Sequence, residues 1–144
     1  MNKLTIEEHF LTLEQAKELK EIGIDVSGAI YCFGKRIKDG RGNKMLRQKS
    51  FLCPSGNHGV RSLLLEQYEF IPTLSVAEMI EMLPKVFIDN LNSMWFLEIT
   101  CKVTHKDYQV RYIVSDFPRI EFRRTLIRDA LFEMLKWLKQ NKLM

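Results

Sequence analysis

Between Arg124 and Asn141 the apolar residues Leu126, Ile127, Ala130, Leu131, Met134, Leu135 and Leu138 recur at intervals of three and four, separated by Arg128, Glu133, Lys136 and Lys139. That period draws one dry stripe along an α-helix, and a stripe of this length has to be buried against a second layer. Lys136, Lys139 and Lys142 suit the negative end of the helix dipole and need no binding role. The second layer lies upstream. Trp95 to Val103 and Tyr108 to Val114 are apolar-rich and β-prone, and Thr104-His105-Lys106-Asp107 between them predicts an antiparallel hairpin. With period two, Trp95, Leu97, Ile99, Cys101 and Val103 share one face, opposite Phe96, Glu98, Thr100 and Lys102. The expected core therefore sets Trp95, Leu97, Ile99 and Cys101 against Leu131, Met134, Leu135 and Leu138.

Thr12 followed by Gln15 has the spacing of a capping box and predicts a helix over 13–22, with Leu13, Ala16, Leu19 and Ile22 near one face and Gly23 as its left-handed terminator. Ser75 and Glu78 repeat the spacing and predict a helix over 76–83, stopped by Pro84. Ala29 to Phe33 reads as a strand that Gly34 ends, and Leu63 to Ile71 as another. Met45 to Leu52 fits either a basic strand or a short helix, while Cys53 to Gly59 is dense in turn residues and predicts a loop. This order implies an α+β fold, a small, mostly antiparallel sheet of three to five strands with helices packed on one face. A length of 144 residues fits one domain over 1–144. With 46% hydrophobic and 28% charged residues, the chain can build a core without a metal or a disulfide scaffold.

No run approaches the roughly 18 apolar residues of a membrane span, and Met1-Asn2-Lys3-Leu4-Thr5 lacks the apolar core of a signal peptide, so a cytoplasmic protein without membrane contact is expected. Cys32, Cys53 and Cys101 are odd in number and widely spaced, with no Cys-x-x-Cys, which predicts reduced thiols. Cys53 with His58 is the one catalytic pair worth weighing, with Ser55 beside the same histidine as a variant of it. No nucleophile elbow, His-Glu-x-x-His or glycine-rich phosphate loop accompanies it, and turn chemistry alone explains Ser55 to Gly59. Cys53-x4-His58 and Cys101-x3-His105 together offer two thiolates and two imidazoles, but their spacing is unlike that of zinc pairs and Cys101 is assigned to the dry face. No metal and no cofactor are expected.

The one compositional outlier is residues 35–49, where Lys35, Arg36, Lys38, Arg41, Lys44, Arg47 and Lys49 stand against Asp39 alone, a surplus of six on a chain whose net charge is +4. Gly34, Gly40 and Gly42 and the near absence of apolar residues predict a flexible basic connection. Its charges can neutralise phosphates, with Phe33 and Phe51 flanking it for base stacking. The opposing reading is a solvated loop, and neither a helix-turn-helix nor an RNP signature is present.

Three blocks, Phe10 to Gly23 (FLTLEQAKELKEIG), Ile71 to Met79 (IPTLSVAEM) and Asp129 to Leu138 (DALFEMLKWL), resemble a family of small uncharacterised proteins encoded by phages, prophages and mobile elements of gut bacteria. The blocks lie in the family's order, with a hairpin between the second and third. They are helix-start and core patterns, so the resemblance implies a genomic setting and no chemistry. The basic segment 35–49 departs from the family, whose members are often shorter there. These readings predict a non-enzymatic accessory protein that binds a macromolecule, protein or nucleic acid, through Lys35, Arg36, Lys38, Arg41, Lys44 and Arg47. A nucleic-acid-binding protein using that segment and a small enzyme with a Cys53/His58 site are the alternatives.

Overall fold

The computed structural model describes residues 5–39, 41–45, 48–55, 67–104 and 106–144, and they fall into two compact units, one of residues Phe10–Ser75 and one of Met1–His9 with Val76–Met144. Both are α+β, and each contains one antiparallel sheet. Two small sheets thus replace the single one expected.

In the first unit α1 (Leu13–Glu21) precedes β1 (Tyr31–Arg36), β2 (Phe51–Pro54) and β3 (Tyr68–Thr73), arranged β2-β1-β3. The capping box forms as the spacing predicts. The Gln15 amide donates to Thr12 Oγ1 at 3.2 Å, and the Thr12 amide donates to Gln15 Oε1 at 3.0 Å. Gly23, with φ of 86°, takes the left-handed conformation that ends the helix. Ala16 and Leu19 are buried, and α1 packs against β3.

Two expectations change here. β1 does not stop at Gly34 but runs through it to Arg36, and Cys53 and Pro54 belong to β2 rather than to a loop. The prolines are the obstacle to reading these strands from sequence, and the ladder resolves it. The Ser55 amide donates to the Ile30 carbonyl and the Ile37 amide to the Gln67 carbonyl, so alternate residues of β1 bond to opposite neighbours. In that alternation Pro54 and Pro72 both fall where the nitrogen points away from β1, on the outer edges of the sheet, and no ladder bond is lost. β3 keeps the C-terminal part of the strand expected over 63–71; residues 63–66 lie outside the described residues.

In the second unit a short 3-10 helix (Ile6–His9) is followed by α2 (Val76–Met82), β4 (Val86–Ile88), β5 (Met94–Lys102), β6 (Asp107–Val114), β7 (Phe117–Arg124) and α3 (Ile127–Gln140). Strand order is β4-β5-β6-β7. The hairpin of β5 and β6 forms as predicted, and α3 packs against β6 and β7. Leu131, Met134, Leu135 and Leu138 are fully buried, as are Val110 and Tyr112 beneath them. The inner face is laid out in cross-strand rows, Leu97–Tyr112–Ile120 and Ile99–Val110–Phe122, while Trp95 stacks on Trp137 of α3 with ring centroids 6.1 Å apart.

Cys101 departs from the expected core. It is exposed, as is Val103, because its row pairs with Tyr108 at the turn end of the hairpin, beyond the rows that α3 covers. The start of α3 also moves from Arg124 to Ile127, because residues 117–124 form the unanticipated β7.

The outer face of this sheet is divided. Val86, Ile88, Met94 and Phe96 make an exposed apolar end. Further along, Arg111 pairs with Glu98, and the fully buried Gln109 lies against Glu121 and Arg123, whose charges assign its amide nitrogen to the carboxylate and its oxygen to the guanidinium. Such cross-strand polar ladders fix register.

Tyr112 ties the unit together from the other side, donating to the Pro84 carbonyl at 2.7 Å. Burial pushes its phenol well above the usual range, so the stability it lends is complete below pH 10 and is lost as pH rises through its folded value. Tyr112→Phe should cost about 1 kcal/mol at neutral pH and flatten the alkaline loss, as urea unfolding at pH 7 and above pH 10 would measure. Leu135→Ala should cost about 2–5 kcal/mol in the same assay.

Candidate nucleic-acid interface

Gly34 lies at the middle of the central strand of the first sheet, directly opposite Phe51 on β2 and Phe70 on β3. Without a side chain at that point both rings close over the backbone. A Cβ on Gly34 would lie 2.8 Å from Phe51 Cζ and 3.2 Å from Phe70 Cε1. Tyr68 extends the cluster, stacking beside Phe70 with centroids 6.1 Å apart and meeting Phe51 edge-on at 6.2 Å. Arg36 pairs across from Tyr68 and shares its face. Phe51 remains 45% exposed, and Tyr68 and Phe70 are half-buried. One sheet face therefore offers three contiguous aromatic rings beside a guanidinium.

Phe33 does not join them. It pairs with Leu52 and Ile71 and so faces the opposite side, where Phe10 and Tyr31 meet with centroids 4.7 Å apart. Tyr68 and Phe70 were the missed partners of Phe51, and their alternation with Glu69 was the signal that could have found them.

The basic segment begins on the sheet itself. Lys35 and Arg36 are β1 residues rather than part of a loop; Lys35 stands opposite Glu69, on the face away from the rings. The chain then turns back as a small hairpin. Met45 donates to the Ile37 carbonyl at 2.8 Å, and Lys38 bridges to Lys44. Gly42, with φ of 83°, supplies the left-handed residue that a tight hairpin loop needs. Asp39 holds the turn, its carboxylate accepting from the Arg41 amide at 2.8 Å and the Asn43 amide at 2.9 Å. These bonds, the Asn43 amide foremost and then that of Arg41, together with the Arg36 charge, keep the Asp39 carboxyl below its ordinary range.

Asp39 is thus occupied with backbone and leaves the lysines unmatched. Lys38, Arg41, Lys44 and Lys49 are exposed, and among the described residues no ion pair reaches Lys38, Arg41 or Lys44. Like charges set directly across a ladder, as Lys38 and Lys44 are, repel one another. An anion lying over the pair would relieve that repulsion. Arg47 lies outside the described residues.

The remaining candidates fall partly outside the described residues. His58 and His105 lie outside the described residues, as do 56–59 of the turn-rich run, and the described residues contain no group of three metal-ligating side chains. Cys53 is brought beside Cys32, with Sγ atoms 3.5 Å apart, a pairing that the sequence spacing hid. In the second unit a cavity of about 260 Å³ is lined by Asp89, Leu91, Ser93, Trp95, Val114 and Arg119. Its carboxylate is committed to structure: Asp89 accepts from Trp95 Nε1 at 2.9 Å and from the Ser93 and Leu91 amides, which hold its pKa low. No described helix is long and apolar enough to cross a membrane.

Comparison with protein-family models, curated proteins and solved structures finds no match for this chain. The geometry of the turn makes its own prediction. Followed by NMR, the Arg41 and Asn43 amide resonances should titrate together with a midpoint below 3.8, the ordinary value for aspartate, and Asp39→Ala should abolish that transition. Independent titrations of the two amides would refute the shared anchor.

Proposed function

We propose that the protein is a non-enzymatic binding protein whose three-stranded sheet takes single-stranded nucleic acid. The observation that carries this reading is the adjacency, on one sheet, of the Phe51–Tyr68–Phe70 surface and the unmatched cations of the hairpin that continues β1. Unpaired bases stack on aromatic rings at about 1–3 kcal/mol per base and with little sequence preference. Lysine and arginine beside such a platform track the phosphates, whose counterions are released on binding. Arg36, Lys38, Arg41 and Lys44 are the contact cations of this reading, with Phe51, Tyr68 and Phe70 as stacking residues. The resemblance of three helix and core blocks to small proteins of phages and mobile elements of gut bacteria supports an accessory role for such an element, in the bacterial cytoplasm.

The reading is tested by fluorescence anisotropy of the full chain with labelled oligo(dT) and oligo(U). Binding should weaken with salt at a log–log slope of about −0.7 for each phosphate contacted, and duplex DNA of equal length should bind less well, because its bases are already stacked. Lys38→Glu with Arg41→Glu and Lys44→Glu should abolish binding and leave unfolding almost unchanged, since exposed charges add little stability. Phe51→Ala should weaken it by about 5- to 100-fold without changing the salt slope. Absence of binding to any single strand at about 50 mM salt, where counterion release favours it, overturns the proposal.

A further inference from the structure

Cys32 and Cys53 are cross-strand partners on β1 and β2, and their Sγ atoms are 3.5 Å apart. The Ser55 amide bonded to the Ile30 carbonyl places Cys32 and Cys53, two residues further along, at a hydrogen-bonded site of the ladder. Cα atoms at such sites are about 5.5 Å apart, within the span of a disulfide. The two thiols differ in access. Cys32 is 1% exposed, whereas Cys53, on the edge strand, is half-buried.

We infer that Cys32 and Cys53 form a reactive dithiol, a modification site that a small disulfide of the glutathione class converts to a cross-strand disulfide. The Cys53 thiolate attacks one sulfur of the small disulfide; a mixed disulfide forms and one glutathione thiolate leaves, taking up the Cys53 proton. Cys32 then attacks Cys53 Sγ, the mixed disulfide breaks, and the second glutathione leaves with the Cys32 proton. Both cysteines are oxidised and one glutathione disulfide is reduced to two thiols. Proximity drives the second step, because Cys32 Sγ already touches the sulfur it must attack. The bond ties the four-residue edge strand, which carries Phe51, to the central strand. This inference does not depend on the nucleic-acid reading.

The test uses the full chain carrying Cys101→Ser, which removes the exposed third thiol. Incubated folded with oxidised glutathione, it should lose both remaining thiols to a maleimide probe. Its intact mass should fall by two hydrogens with no glutathione attached, and dithiothreitol should restore it. Adding Cys32→Ala should trap a stable glutathione adduct on Cys53, and adding Cys53→Ala should leave Cys32 unmodified while folded. Retention of both thiols, or a lasting adduct on Cys53 with Cys32 still present, overturns the inference.

Discussion

A glycine at the centre of a central strand leaves a hole in the sheet, and the first unit is organised around filling it. Gly34 removes a side chain where Phe51 and Phe70 approach from either neighbour, and the space it leaves admits both rings. The aromatic surface is a product of register. Sliding either pairing by one residue would bring Leu52 or Ile71 onto that face and turn the rings to the other. Because β1 bonds alternately to β2 and β3, both prolines must fall at outward sites for that register to hold, and they do.

The parts of the fold legible in the sequence were those whose determinants are local and periodic. Thr12 with Gln15 announced α1 because a capping box needs only residues three apart. The stripe from Ala130 to Leu138 announced α3, and alternation between Trp95 and Val114 announced the central hairpin, because each buries a face that its own period defines. What escaped either lacks a clean local period or depends on partners distant in sequence. β7 carries Pro118 and several arginines, and its ladder with β6 shifts register beside Tyr112, so no clean alternation survives. β4, three residues long, offers no period at all. Gly34 looked like a stop because its reason for being a glycine lies in rings 17 and 36 residues away.

The candidate site was half legible for the same reason. Charge is a property of composition, so the cations between Lys35 and Lys49 were visible at once. Which of them share a surface with which rings is a property of pairing. The ladder sets the adjacent Lys35 and Arg36 on opposite faces, and likewise Phe33 and Phe51, which flank the basic segment. The contact of Cys32 with Cys53 lay hidden likewise, since the spacing of two cysteines says nothing until the register of the strands that bear them is known.

The strand that the sequence concealed also governs how the second sheet meets other molecules. β7 is an edge, and edges with unpaired backbone groups invite further strands. Pro118 deletes one donor from this edge, and Arg119 and Arg124 stand exposed along it. A second copy brought edge to edge with β7 would meet these exposed cations with its own, and the opposite edge, β4, is only three residues long. Open-ended polymerisation through the backbone is thereby resisted at both ends of a sheet that nonetheless leaves apolar side chains in water.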